Sequence, residues 1–302
     1  MTHDHGRTTE HGGDLDRAIS RFGGKRADWL DLSTGINPHA YPLPPLDNSL
    51  WTDLPDKGLQ QDVEAAAAAA YHTTRPCLAV AGAQQAIQLY PALFAKYING
   101  RKARLLHPSY NEHERQLIRH NWQVERVCST DQLAGADLAV VVNPNNPDGR
   151  YSRPEQLFSL AEQVGVLVID ESFCDPLPHL SVCPHLTAQH DNILVLRSFG
   201  KFYGLAGLRL GFAVGAQYHL DDLAEMMGSW AVSGPALAVG RAALTDRIWI
   251  TQMTTQLATE SIQLDQLATA AGWQIVGGTS LYRLYQMSDA AASQDHLARN
   301  RI

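Results

Sequence analysis

Residues 194–211 read "LVLRSFGKFYGLAGLRLG": an apolar run, then Ser198, then one lysine, Lys201, among aromatic and small residues, with Arg209 eight positions on. A lysine attacks a carbonyl only as the neutral amine, so it needs apolar or cationic surroundings that lower its pKa, and "SFGKFYGLAGL" supplies them. Ser198 and Arg209 add a hydroxyl and a fixed cation suited to a phosphate dianion, while Gly200, Gly204 and Gly207 let backbone approach closely. A phosphorylated aldehyde cofactor satisfies all of these features. The plainer alternative is a surface lysine in a loop.

Outward from this stretch the chain alternates strand and helix patterns. "GLQQDVEAAAAAAY" reads as a helix, "CLAVAG" as a strand, and "AQQAIQLYPALFAKY" as a second helix. The runs "ADLAVVVNPNNPDG", "GVLVIDESF", "NILVLRSFGK" and "LRLGFAVG" are rich in Val, Ile and Leu and end in polar or glycine residues, as suits strands buried on both faces. An α/β sheet binds ligands at the carboxyl ends of its strands, which brings Asn146, Asp170, Ser198 and Lys201 to one crevice. Asp170, closing "VLVID", could pair with a protonated ring nitrogen, or could merely cap the next turn. "NPNNPDG" is ordinary turn chemistry, yet an Asn held there can donate to a phenolic oxygen.

A chain of 302 residues, 45% hydrophobic and 18% charged, can bury one large core or two unequal ones. The formal charge of −7 and the lack of a basic block argue against nucleic acid as a partner. No apolar run is long enough to span a bilayer and the polar start lacks a signal-peptide core, so a cytoplasmic enzyme with no membrane partner is expected. Cys77, Cys128, Cys174 and Cys183 lack metal-site spacing and are expected to be reduced and structural. From about residue 216 helical sequence takes over before "WQIVGGTSLYRLYQM" returns to strand character, which suggests a second, smaller domain. The expected division is an N-terminal arm, 1–45, joining the small domain; a large cofactor-binding domain, 46–235; and a small α+β domain, 236–302.

Taken in this order, the motifs resemble the fold-type-I pyridoxal phosphate enzymes of the aspartate aminotransferase superfamily over nearly the whole chain. The resemblance implies an α/β fold with a mostly parallel sheet flanked by helices, and pyridoxal 5'-phosphate as cofactor. It implies that Lys201 is the Schiff-base lysine, that Asp170 faces the ring nitrogen, and that Asn146 meets the ring oxygen. Ser198 and Arg209 would bind the phosphate together with Gly82, Ala83 and Gln84 at a helix N-terminus. Tyr110 in "HPSY" matches the aromatic that stacks on the ring, although core packing explains a lone tyrosine as well. A homodimer is implied too, with "HAYPLPPLDNSLW" suited to lie against the partner.

Two subfamilies compete, the histidinol-phosphate aminotransferases and the threonine-phosphate decarboxylases of cobalamin biosynthesis. "HGGDLDRA", "DLSTGINP", "LPDKGL" and "DESF" resemble the second. Phe173 stands where the aminotransferases usually carry tyrosine, and Leu54 where many carry a tyrosine that reaches the partner's phosphate. The implied substrate is a small phosphorylated amino acid near His11, Gly35 and Asn37, and the implied product aminopropanol phosphate. Family members continue past "HLARNRI" through a strand bearing the arginine that clamps the substrate carboxylate. The small domain therefore reads as C-terminally truncated, and Arg283, Arg299 and Arg301 do not match that arginine. His3, His5 and His11 could suggest a metal, but a mobile polar terminus explains them better and no metal is expected. A different class of protein stays open, a non-catalytic aminotransferase-like binding module; the set Lys201, Asp170 and Arg209 favours an enzyme.

Overall fold

The computed structural model describes residues 12–302. Helix α1 (Leu15–Phe22) opens an extended arm leading to α2 (Ser49–Thr52), α3 (Lys57–Ala70) and strand β1 (Cys77–Val80). Next come α4 (Ala83–Tyr97), β2 (Lys102–Leu106), α5 (Asn111–Arg119), β3 (Gln123–Val127), β4 (Leu138–Val142), α6 (Pro154–Ala161), β5 (Val166–Asp170) and β6 (Ile193–Ser198). The chain then forms α7 (Phe199–Phe202), β7 (Gly211–Val214), α8 (Gln217–Met227), α9 (Gly234–Thr245) and the long α10 (Arg247–Ala270). It closes with the hairpin of β8 (Gln274–Thr279) and β9 (Tyr282–Gln286), followed by α11 (Ala290–Arg299).

The seven strands of the main sheet lie in the order β1-β7-β6-β5-β4-β2-β3, and β7 alone runs antiparallel to its neighbours. Helices cover both faces, which is why the central strands read as apolar runs instead of alternating. Val141, Ile169 and Val195 join one core with α3, α6 and α9, while Val140, Val168, Leu194 and Leu196 join a second core with α4, α5 and α8. The apolar runs do not announce β2 and β3. These strands form one edge, and Lys102, Arg104, Glu125 and Arg126 interrupt their apolar positions, with Arg104 pairing across to Glu125 at 2.7 Å.

The arm lies against the far end of the chain. Arg21 pairs with Asp295 at 3.1 Å, and Leu30 N donates to Arg301 O at 2.9 Å. Farther on, Asn37 N donates to Lys201 O and Tyr41 N to Tyr203 O, so the arm also braces the lysine-bearing segment. The expected division at residues 235 and 236 falls inside α9, whose buried face packs on α3, so large-domain packing continues past that point. Cys77, Cys174 and Cys183 are buried and Cys128 is exposed, and all four are free thiols. Among the described residues no helix is long and apolar enough to cross a membrane, and no group of His, Cys, Asp or Glu is placed to hold a metal ion.

Candidate active site

Three strand ends and one helix start build the crevice. Strand β1 leads through Ala81 to Gly82, which caps α4 with φ +75°. A side chain there would be strained by that backbone, and a Cβ would stand 2.6 Å from Nη2 of Arg209. Glycine thus lets the Arg209 guanidinium close over the start of α4, whose first amides lack intrahelical partners. A cation beside exposed amides is a phosphate cradle. Ser198 ends β6, with β7 between it and β1 in the sheet, and Ala83 and Gln84 form the first turn of α4.

Lys201 sits on α7, directly after β6, with Nζ 5.5 Å from the centroid of the Phe173 ring. Its pKa is lowered, chiefly by burial; the Asp170 carboxylate acts in the opposite sense and Arg209 adds to the lowering. The three groups that the sequence singled out therefore sense one another's charge. The lowering brings the amine closer to the neutral form that a nucleophile needs.

Asp170 closes β5 and is buried. Its Oδ2 accepts from His113 Nε2 at 2.8 Å and its Oδ1 from Ser172 N at 2.9 Å. Burial works to raise its pKa, but the hydrogen bond from His113, the charge of that ring when protonated, and the bonds from Ser172 outweigh it, leaving the carboxyl below its ordinary value. An ionised carboxylate with free lone pairs suits a protonated ring nitrogen. His113 was not legible as a functional residue; it is a polar position on α5, one turn beyond Tyr110, and its only signal is that spacing. Tyr110 itself is the N-cap residue of α5, and its hydroxyl donates to Gln84 Oε1 at 3.2 Å.

The turn that carries Asn146 is held from several sides. Asn145 Nδ2 donates to Pro108 O and Asp148 Oδ1, and Gly149 N donates to Asn145 O at 2.7 Å. The β8–β9 hairpin closes on it, since a Cβ on Gly149 would lie 2.3 Å from Gly278 O. Tyr282 of β9 donates its hydroxyl to Asn145 O at 2.5 Å and packs its ring edge-on to Phe173, 4.7 Å between centroids. Gly35 fits beside that pair, where a Cβ would come within 2.8 Å of the Phe173 ring. Tyr282 is thus a second residue the motifs did not single out.

Arg197 is a third, although it stands in the opening stretch. It is buried, and its guanidinium donates to Glu171 at 2.7 Å and Asp175 at 2.8 Å while lying over the Tyr71 ring. The network ties the end of β5 to the end of β6, which fixes Asp170 relative to Ser198. Removing one partner would leave an uncompensated buried charge, a loss of about 3–5 kcal/mol.

Of the expected substrate residues, Asn37 donates through Nδ2 to Phe202 O at 2.8 Å and accepts from His39 N at 2.9 Å, so its side chain holds the lysine segment. His11 lies outside the described residues. Arg283 is bound to Asp265 through both Nε and Nη2, with Tyr285 donating to the same carboxylate, so it is committed within the small domain. Arg299 pairs with Asp295 and Arg301 with Asp28.

The residues present fit pyridoxal phosphate: a cradle at Gly82 and Arg209, an amine of lowered pKa at Lys201, and an ionised carboxylate at Asp170. Comparison with known proteins agrees with this chemistry. A family model described as aminotransferase class I and II matches residues 28–300. A threonine-phosphate decarboxylase of a Sinorhizobium species is 40% identical over 298 residues, spanning 97% of this chain and 88% of its own length. One from Pseudomonas aeruginosa is 39% identical over 97% of this chain and 88% of its own. Among solved structures, the L-threonine-O-3-phosphate decarboxylase of Porphyromonas gingivalis superposes with a TM-score of 0.68 at 19% identity, covering 87% of this chain and 83% of that one.

Proposed function

The chain belongs to the aminotransferase class I and II family, and from that premise we propose that it is a pyridoxal phosphate-dependent carboxy-lyase that converts L-threonine O-3-phosphate to aminopropanol phosphate and carbon dioxide. The observation that carries this reading is the 40% identity to a threonine-phosphate decarboxylase over 97% of the chain. Its product would serve the side chain of cobalamin.

When bound, pyridoxal phosphate supplies an electron sink for the bonding pair left by the departing carboxylate. The amides of Gly82, Ala83 and Gln84, the Ser198 hydroxyl and the Arg209 guanidinium hold its phosphate. Asp170 would keep the ring nitrogen protonated, Asn146 would donate to the ring oxygen, and Tyr110 would supply the aromatic neighbour of the ring. Lys201, desolvated beside Phe173, provides the amine and later delivers a proton to the substrate α-carbon. Gly35, Phe173 and Tyr282 pack closely on one another beside Lys201, a wall that would help orient the substrate bond that breaks.

Product analysis tests the reading. Incubation with threonine phosphate should release carbon dioxide and aminopropanol phosphate catalytically, with no keto acid added, because the electron pair returns to the substrate carbon with a proton. Transfer of the amine of histidinol phosphate to the cofactor, with no carbon dioxide from threonine phosphate, would overturn it.

The working unit is a cytoplasmic homodimer. Leu43, Trp51, Leu54 and Trp230 are large apolar residues each more than 60% exposed. Trp51 lies on α2, which packs on α9, and burying such side chains is what a permanent interface does. Sedimentation at micromolar concentration should give twice the mass of 33.2 kDa; a monomer under those conditions would remove the claim.

A further inference from the structure

The hydrogen-bonded pair of Asp170 and His113 does not end at the histidine. His113 Nδ1 lies 3.1 Å from the hydroxyl of Tyr90, on α4 two turns beyond the phosphate cradle. Tyr90, His113 and Asp170 are 0%, 1% and 2% exposed, so all three lie out of contact with bulk solvent. The ring of Tyr110 meets His113 edge-on at 6.1 Å and closes that side.

We propose that Tyr90 is a positioning residue for the reaction: its hydroxyl donates to Nδ1 of His113, fixes that ring as the neutral tautomer with its proton on Nε2, and thereby holds Asp170 as the ionised partner of the cofactor's ring nitrogen. The proposal rests on the placement of Asp170 against that nitrogen given above. The alternatives fail on counting donors. In the imidazolium both ring nitrogens donate, and the buried Tyr90 proton has no acceptor among the described residues. In the tautomer protonated on Nδ1, Tyr90 would have to accept, and Nε2 would face Oδ2 of a carboxylate with no proton between them. Only the Nε2–H tautomer satisfies the chain from Tyr90 to Asp170, and burial makes each unsatisfied member costly. Burial together with the Asp170 charge also raises the Tyr90 pKa well above its ordinary value, so the hydroxyl keeps its proton to donate.

The arrangement has a functional consequence. A neutral histidine leaves the full negative charge of Asp170 to the ring nitrogen, whereas an imidazolium would share it. Tyr90 controls that division without touching cofactor or substrate.

The test is Tyr90→Phe, which removes one hydroxyl and keeps the ring in the apolar core of α4, with the cofactor-loaded protein labelled with 15N on histidine. In the wild type the His113 resonances should show a protonated Nε2 and an unprotonated Nδ1. In Tyr90→Phe the Nδ1 signal should move and Nδ1 become free to take a proton alongside Nε2, kcat should fall about tenfold, and KM and cofactor affinity should stay within about twofold. A wild-type ring protonated on Nδ1 would overturn the proposal without any variant, as would an unchanged His113 signature or an equal fall in kcat and cofactor affinity in Tyr90→Phe. Because the tautomer is read without substrate, an error in the assigned reaction would show separately, as a failure of wild-type protein to release carbon dioxide.

Discussion

Lys201→Ala should abolish covalent attachment of the cofactor and lower turnover by at least about a thousandfold, since no other group in the crevice can supply an amine to the aldehyde. Borohydride treatment followed by peptide mapping should fix the cofactor on Lys201 in the wild type and nowhere in the variant. The fold should not suffer. Lys201 is desolvated with a lowered pKa, so in the empty protein its charged form costs stability at neutral pH; that cost is present below the folded-state pKa and shrinks as pH rises toward the unfolded value of about 10.4. Thermal unfolding of the cofactor-free variant should therefore be at least as high as wild type at pH 7, with the difference narrowing toward pH 10. Turnover that survives the substitution, or reduction at another lysine, would remove Lys201 from its role.

What the sequence reveals and what it hides have physical reasons. Strands β4, β5 and β6 are covered on both faces, so they are apolar up to the polar residues that close β5 and β6, and the runs "LAVVV", "VLVID" and "ILVLRS" declare themselves. Helix α4 runs from Ala83 to Tyr97, the segment expected from its composition, despite Pro91 within it. Strands β2 and β3 sit at an edge where charged side chains reach solvent, and their composition resembles a loop. The proposed cofactor residues stand at strand or helix ends and belong to local motifs, which is why the sequence singles them out. His113, Tyr90 and Tyr282 belong to none: they reach the site from the sides of α5 and α4 and from the hairpin, and only the fold brings them in. Arg197 was overlooked for a different reason. Beside Lys201 it reads as one more charge, and nothing local shows that it points at Glu171 and Asp175 inside the protein.

Asp170→Asn should lower turnover by at least about a hundredfold while cofactor affinity changes by less than about tenfold, because phosphate binding at Gly82, Ser198 and Arg209 is untouched. The carboxylate accepts two hydrogen bonds, from His113 Nε2 and from Ser172 N. An amide offers one acceptor and one donor, so one of those N–H groups must face an NH2, and a buried conflict of this kind costs about 1–3 kcal/mol. If Tyr90 holds His113 as stated, the histidine cannot escape by moving its proton to Nδ1, and the conflict persists. The substitution also changes the response to acid. The folded pKa of Asp170 is depressed, so its contribution is present above the unfolded value of about 3.9 and is lost as pH falls through the lower folded value. Asp170→Asn should therefore be less stable than wild type at pH 7, and the gap should narrow below about pH 4. Equal losses of affinity and turnover in Asp170→Asn would show that the carboxylate serves binding and not the electron sink.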